Sequence, residues 1–174
     1  NLKILRNRSA DMAINSPVGA AAINRYRTHV VGAGLVPSPC PDYRLLGMSP
    51  EEAAEWRRHT KAEFNLWAQS VECDLYRKHN FYDMQDIAFI SSIVDGDAWE
   101  AIKYRKALGD NPYTTKIQLF EASRVCNPNT YSLIGALNEV EVRNPKNGNR
   151  IINGVEINTD GAVVAYWVAD RVPY

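Results

Sequence analysis

Apolar residues recur at helical spacing in four segments of the chain. The most apolar of them, residues 83–94, reads DMQDIAFISSIV and is apolar around most of a helix's circumference. A helix of this kind is usually buried. Asp83 is predicted to cap its N-terminus, because a short polar side chain can accept a free backbone N–H there. Gly96 is predicted to end it, since glycine adopts the left-handed C-cap conformation readily.

Three further segments have the periodicity of helices. Residues 2–14 and 17–30 are predicted to form a helix pair, with Ser16 as the second N-cap and a proline at the first helical position. A capping box at Ser49 and Glu52 predicts the start of a long amphipathic helix. An apolar stripe follows on that helix, and we expect it to face the core. The stripe is Ala53, Trp56, Thr60, Phe64 and Trp67.

The remaining patterns are typical of strands and turns. Residues 99–106 and 115–122 are predicted to pair, with a turn at 109–112 between them. Residues 154–157 and 162–169 flank a four-residue loop that ends in Gly161, which is typical of a β-hairpin. The rest is predicted as irregular at 123–134 and as a polar loop at 144–149.

Together these elements predict an α+β fold. An N-terminal helix pair, a long amphipathic helix and a buried helix would pack on antiparallel strands and hairpins. The length of 174 residues suits one domain with its own core, so we interpret residues 1–174 as a single domain. Residues 35–48 would form an exposed linker within it, because three alternate prolines favour an extended chain.

The overall charge is balanced, while its local distribution is not. The chain has 20 basic and 20 acidic residues, so no overall attraction to nucleic acid or to an anionic membrane is indicated. No apolar run approaches the length of a membrane span. Locally, residues 1–31 hold five basic residues against the single acidic residue Asp11. This excess indicates a modestly basic face or a solvated helix surface.

No pattern supplies a complete metal or cofactor site. His59 and Glu63 lie four residues apart on a predicted helix, but a catalytic zinc site normally needs three protein ligands. Gly32 and Gly34 follow a predicted helix rather than a strand, which does not fit a dinucleotide-binding fingerprint. We therefore expect no metal and no cofactor.

Cysteine usage points the same way. The three cysteines, Cys40, Cys73 and Cys126, are odd in number and share no metal-type spacing. This fits a reducing compartment in which cysteine serves as a small apolar residue. A catalytic Cys–His pair would need an electropositive setting, and the sequence shows no local sign of one.

Five separated stretches carry a likeness that composition and periodicity do not show. They are the helix pair from Arg8 with its exit VVGAGL at 30–35, FNLWA at 64–68 with residues 73–85, Gly96-Asp97, IQLFEASRV at 117–125, and GVEI with DGAVVAY at 154–166. In order and spacing, over nearly the whole chain, they resemble the lambda-type family of tailed-phage portal proteins, the head–tail connectors.

The resemblance implies a structural role and no enzymatic one. Portal proteins of this type form a ring, usually dodecameric, at one vertex of the phage head, and DNA is packaged and ejected through it. Terminase, the major capsid and scaffold proteins, and the tail-connector proteins would be its partners. The location would be the virion, after assembly in the bacterial host cytoplasm, with no membrane contact. The alternative is a small cytosolic hydrolase with an unrecognised Cys or His site.

The resemblance also implies which part of a portal this would be. Family members run well beyond Tyr174, so the chain would correspond to the N-terminal, peripheral, wing-like part. Arg6, Arg8, Arg25 and Arg27 are then candidates for contacts with DNA phosphates or neighbouring subunits, beside the alternative of a solvated surface. Because the two most apolar helices would cover each other, little apolar surface should remain, and this chain alone is expected to be monomeric or weakly associated.

Overall fold

The first half of the chain is helical and the second half forms two antiparallel sheets. A computed structural model describes residues 2–106, 111–128 and 141–170. Its helices are α1 (Leu2–Asn15), α2 (Pro17–Val30), α3 (Pro50–Gln69) and α4 (Phe81–Val94). Its strands are β1 (Trp99–Tyr104), β2 (Thr115–Phe120), β3 (Glu141–Arg143), β4 (Arg150–Ile152), β5 (Val155–Ile157) and β6 (Val163–Tyr166). The predicted α+β class is confirmed, and none of the described helices is long and apolar enough to cross a bilayer.

Local side-chain signals set the starts of α2 and α3. The Ser16 hydroxyl accepts the N–H of Gly19 at 3.3 Å. The Ser49 hydroxyl accepts the N–H of Glu52 at 3.1 Å, and the Glu52 carboxylate accepts the N–H of Ser49 at 2.7 Å. Each bond satisfies a backbone donor that the first turn leaves unpaired. Both predicted caps are confirmed.

Helix α4 begins earlier than predicted. Asn80, not Asp83, is its N-cap, and the Asn80 side chain accepts the N–H of Asp83 at 2.9 Å. Asparagine and aspartate cap about equally well, so local chemistry alone did not decide between them. The earlier start brings Phe81 into the helix, where its ring lies 5.4 Å from that of Phe64 and 5.2 Å from that of Trp67.

The main core is small and lies where α3, α4 and β2 meet. Cys73, Met84 and Ile117 are buried there, and Trp67 and Phe81 pack against them. The Trp67 indole also donates a hydrogen bond to the carbonyl of Thr115 at 3.1 Å, so its polar atom is satisfied. The C-terminal end of the predicted stripe on α3 therefore faces the core.

Burial of the two apolar helices is only partial. Trp56, in the N-terminal half of the stripe, is 45% exposed. In α4, Met84 is the one described residue that is buried, while Ile87 and Ile93 are about 40% exposed. The aromatic rings of α3 contact only the first turn of α4. The remainder of α4 is contacted by α1 and α2. The prediction of a fully buried helix at 83–94 is therefore wrong in extent.

The first sheet is the predicted pair of β1 and β2. Its antiparallel register runs from Trp99 opposite Phe120 to Tyr104 opposite Thr115. The exit from α4 is as predicted, because Gly96 has a φ of 81°. Of the turn predicted at 109–112, residues 109 and 110 lie outside the described residues.

The second sheet is a four-stranded meander in the order β3-β4-β5-β6. The predicted hairpin at 158–161 joins β5 to β6, with the N–H of Asn158 donating to the carbonyl of Ala162 at 3.0 Å. Strands β3 and β4 were not predicted. The strand predicted at 115–122 ends at Phe120, and Ala122–Arg124 is a 3₁₀ turn. Of the segment predicted as irregular at 123–134, residues 129–134 lie outside the described part of the chain. The rings of Trp99 and Tyr166, 4.7 Å apart, join the two sheets.

The proline-rich segment at 35–48 connects α2 to α3 without regular secondary structure apart from a turn at 43–47. Its first residue is fixed to α4 through two reciprocal hydrogen bonds. The N–H of Leu35 donates to the Gln85 side chain at 2.6 Å, and the Gln85 amide donates to the Leu35 carbonyl at 3.0 Å. The exit from the helix pair is therefore held against the middle of the fold.

Gly34 supports this junction, and we expect Gly34→Ala to lower the free energy of unfolding by about 2 kcal/mol. Gly34 has a φ of 102°, and an added Cβ would collide with the ring of Tyr82. The control is Gly96→Ala, which meets no atom within 4 Å and adds backbone strain alone, about 1 kcal/mol. Urea denaturation of both variants measures the difference. Equal losses would mean that Tyr82 moves aside freely.

Candidate assembly surface

Helix α1 has no buried residue among those the structure describes. Its large apolar side chains face solvent, with exposed fractions from 44% to 79%. These side chains are Leu2, Ile4, Leu5, Met12 and Ile14. Exposed apolar side chains in this number on one helix usually mark a contact with a partner.

A groove lies between α1, α4 and the start of the first sheet. It has a volume of about 420 Å³ and a mostly apolar lining. Small side chains on α1, Ala10 and Ala13, leave the space open, because they do not reach across to Ile87 and Ile90 on α4. The other apolar residues of the lining are Ile14, Ala88, Val94, Ala98, Trp99, Leu119 and Phe120, and the polar ones are Ser91, Asp95 and Glu121.

The exposed side of α1 and this groove together form what we call the apolar surface. It contradicts the expectation that the internal core would account for the apolar segments. That expectation assumed that α3 would cover α4 along its length, whereas only the first turn of α4 carries the aromatic contacts with α3. Apolar area is therefore available for an intermolecular contact.

Arg6 attaches α1 to the rest of the fold. Its Nε donates to the carbonyl of Asp95 at 2.8 Å and its Nη1 to the carbonyl of Ala122 at 3.3 Å, while Nη2 pairs with the carboxylate of Asp97. The Arg6 side chain is only 14% exposed. The carbonyl of Asp95 belongs to the C-terminal end of α4, where a cation is favourable. Arg6 is therefore engaged within the chain.

The other three predicted arginines differ in their surroundings. Arg27 faces Asp86 on α4 at 4.0 Å and is partly exposed. Arg8 and Arg25 are exposed. The structure therefore gives the four arginines different environments, and Arg8 and Arg25 are the two with freely presented side chains.

Cys73 lacks the properties of a nucleophile. Cys73 is fully buried, and burial, with the adjacent Asp74 carboxylate as a smaller cause, raises the pKa of its thiol to about 11. A thiol with so high a pKa is almost wholly protonated at neutral pH and is a poor nucleophile. Cys40 is exposed and Cys126 is half-buried, and neither is in a disulfide.

Glu63, weighed above as a metal ligand, and the acids Asp95 and Asp97 after α4 have partners within the chain. The Glu63 carboxylate accepts a hydrogen bond from the Tyr113 hydroxyl at 2.8 Å, and this bond raises the pKa of Tyr113. Asp95 accepts from the Ser91 hydroxyl at 3.2 Å, and Asp97 is paired with Arg6. Within residues 2–106, 111–128 and 141–170, no three His, Cys, Asp or Glu side chains are placed to share a metal ion.

The second sheet contains a buried carboxylate, Glu156, that is 3% exposed. No described cation pairs with it. Instead it accepts hydrogen bonds from three asparagine amides, those of Asn147 and Asn149 at 2.8 Å and that of Asn144 at 3.1 Å. The indole of Trp167 donates a further bond at 2.8 Å. We call these five residues the Glu156 cluster.

The donors of this cluster hold the pKa of Glu156 at about 2, and the bonds from Asn147, Asn149 and Trp167 are the main causes. Burial acts in the opposite direction and is outweighed, because hydrogen bonds to the charged form favour it. Sequence reasoning identified 144–149 only as a polar loop. Three asparagines within six residues, followed by a strand with one central acidic residue, are the pattern from which the cluster could have been predicted.

Comparison with known proteins identifies the chain's relatives. The portal protein of Escherichia phage N15 is 27% identical over 170 residues, and portal protein B of Escherichia phage lambda is 26% identical over 165. Each match covers 94% of this chain but 28% of the relative's length. The family described as "Phage portal protein, lambda family" matches residues 1–174. The chain therefore belongs to the lambda family of phage portal proteins.

Proposed function

We propose that this chain is part of a structural subunit of a phage portal ring through which DNA is packaged and ejected. Family membership over all 174 residues carries this proposal. The apolar surface supports it, because a subunit that assembles needs area left uncovered by its own core. The chain spans 28% of the length of the relatives it matches, so the role of the whole protein is part of the proposal.

The partner we propose for the apolar surface is a second copy of the chain. The exposed side of α1 is convex and the groove beside α4 is concave, so one copy can place the former in the latter of its neighbour. A contact between two different patches repeats around an axis and closes a ring when the rotation allows it. Exposed Arg8 and Arg25 would lie near such a contact or near DNA phosphates.

The finer features of the proposal follow the family. The ring would be dodecameric, and its partners would be terminase, the major capsid and scaffold proteins, the tail-connector proteins and the DNA that passes through it. It would be located at the portal vertex of the virion after assembly in the host cytoplasm. Residues 1–174 would form one peripheral, wing-like domain with the segment 35–48 as an internal linker.

We propose no catalytic role for this part of the protein. The alternative, a cytosolic hydrolase with a Cys or His site, has little support in the geometry. Cys73 is buried with a raised pKa, and His59 is exposed without a described hydrogen-bond partner. Assay of the purified protein with generic ester and phosphate substrates tests this point, and turnover that disappears in a Cys40→Ala variant would favour the alternative.

Ile87→Asp is expected to weaken self-association of the full gene product by about tenfold or more, since it places a charge where an apolar side chain would be buried. Ile87 is 40% exposed in the groove. The control is Leu45→Asp, because Leu45 is 84% exposed and lies outside the groove. Light scattering at equal concentration gives the association constants, and electron microscopy shows whether rings form.

Three outcomes would contradict the proposal in different ways. A strictly monomeric full gene product would exclude the ring. Equal loss of rings in both variants would remove the groove as the contact. A stable ring from residues 1–174 alone would overturn the peripheral placement, because a peripheral domain should leave the main ring contacts to other parts of the protein.

A further inference from the structure

Two Asn-Gly pairs lie in turns of the second sheet, at 147–148 between β3 and β4 and at 153–154 between β4 and β5. In such a pair the side-chain amide of asparagine is open to attack by the backbone nitrogen of the next residue. Glycine offers the least hindrance because it has no Cβ. Both turns therefore contain the sequence that loses ammonia most readily in flexible chains.

The reaction requires free movement of three groups: the backbone nitrogen of the glycine, and the Nδ2 and Oδ1 of the asparagine side chain. The glycine nitrogen loses its proton to solvent base and bonds to the asparagine Cγ, the Cγ–Nδ2 bond breaks, and ammonia leaves. Water then opens the five-membered imide at either carbonyl and yields aspartate or isoaspartate. The net change is hydrolysis of one amide, so water is the only co-reactant.

At Asn147 all three groups are held. The attacking nitrogen of Gly148 donates to the carbonyl of Asn144 at 2.8 Å. The leaving Nδ2 of Asn147 donates to the Glu156 carboxylate at 2.8 Å, and its Oδ1 accepts the N–H of Asn149 at 3.0 Å. Asn147 is nevertheless exposed, so water and base can reach it. Hydrogen bonds, and not burial, therefore prevent these groups from reacting.

We infer that Asn147 is a latent deamidation site, kept unreactive by its hydrogen bond to Glu156, and that its conversion to aspartate opens the turn between β3 and β4. The second half follows from charge. The new carboxylate at position 147 would replace a donor with a negative group 2.8 Å from a buried carboxylate. Two like charges at that distance repel each other, and water screens the repulsion incompletely because the Glu156 carboxylate is itself buried. Deamidation therefore replaces the hydrogen bond that holds the turn with a repulsion that favours its opening.

Asn153 provides an internal reference, because other groups protect it. The N–H of Gly154 donates to the Asn127 side chain at 2.8 Å, and Gly154 is buried against the backbone of residues 125–126. Asn153 itself has a φ of 50°, and the described bonds of the Glu156 carboxylate do not include it. Loss of the Glu156 carboxylate should therefore affect Asn147 and leave Asn153 protected.

The experiment compares the intact protein with its Glu156→Gln variant during incubation at mildly alkaline pH. Peptide mapping by mass spectrometry follows both asparagines, with a free peptide of residues 144–150 as the unprotected standard. We expect Glu156→Gln to speed deamidation of Asn147 by about tenfold or more, the factor that a charge-assisted hydrogen bond contributes. Asn153 should keep the rate of the unmodified protein.

Trp167→Phe is the matched control, because it removes one donor from Glu156 without touching Asn147. Trp167→Phe should increase the deamidation rate of Asn147 less than Glu156→Gln does. The inference is wrong if Asn147 in the unmodified protein reacts as fast as the peptide, if Glu156→Gln leaves its rate unchanged, or if both asparagines accelerate equally.

If Glu156→Gln does not fold, product mimicry decides the matter. Asn147→Asp should melt at a lower temperature than Asn147→Ala, because it adds a negative charge beside Glu156. Equal melting midpoints for these two variants would overturn the proposed opening of the turn.

Discussion

Replacing Glu156 with glutamine is expected to lower the melting midpoint of the protein markedly. A glutamine side chain has one oxygen in place of two, and its own amide N–H groups would face those of Asn144, Asn147 and Asn149. The buried Asn144 amide and the partly buried donors Asn149 and Trp167 would then compete for one acceptor, and an unpaired buried polar group is strongly unfavourable. Thermal unfolding followed by circular dichroism measures the effect.

Glu141→Gln is the matched control for this change. Glu141 pairs with Arg150 at 2.8 and 2.9 Å on the exposed side of the same sheet, and this pairing lowers the pKa of Glu141. Exposed ion pairs contribute little to stability. A midpoint loss in Glu141→Gln as large as that in Glu156→Gln would mean that the Glu156 cluster has no special role.

The same carboxylate predicts an acid dependence. The pKa of Glu156 is lowered to about 2 in the folded state, while an unfolded glutamate titrates near about 4.3. A lowered pKa means that the stabilisation is present above the unfolded value and is lost as pH falls through the folded value. The stability difference between the protein and Glu156→Gln should therefore shrink between pH 5 and pH 2, roughly the window set by these two values. A difference that stays constant would contradict the assignment.

Arg6→Ala is expected to reduce the free energy of unfolding by about 3 kcal/mol, because it removes a largely buried cation with three acceptors. The carbonyls of Asp95 and Ala122 would lose their partner, and Asp97 its counter-charge. Asp97 is about half exposed, so its share is reduced by water. Urea denaturation gives the total, and hydrogen exchange in α1 shows whether this helix is the part released.

Arg8→Ala, on the same helix, is the control. Arg8 is exposed, so its replacement should change stability by no more than about 0.5 kcal/mol. If the two variants lose the same stability, the bonds of Arg6 are not what holds α1. If α1 keeps its exchange protection in Arg6→Ala, apolar contacts hold it instead.

The sequence predicted elements whose signals are local. Ser16, Ser49 and Gly96 each act on backbone groups within a few residues, and each was placed correctly. Asp83 failed because Asn80, three residues earlier, offers equal capping chemistry, and the choice was made by ring contacts of Phe81 with α3. Strands of three residues, such as β3 and β4, show too little alternation to be recognised.

The candidate site was predictable only in part. The basic excess at the N-terminus was visible, but the partners of Arg6 lie 89 to 116 residues away in sequence, so its engagement could not be read locally. The apolar surface depends on Ala10 and Ala13 lying opposite Ile87, which periodicity does not specify. Glu156 lies 12 residues from Asn144, and only the meander brings them together.

The long separation between Arg6 and its partners has a consequence for how the protein folds. The hairpins of the second sheet close loops of a few residues, whereas the bond from Arg6 to Asp95 closes a loop of 89 residues. Closing a longer loop carries a larger entropic penalty, and distant contacts form slowly. We therefore expect the docking of α1 on the end of α4 to follow closure of the hairpins, and the apolar groove that α1 borders to form with that docking.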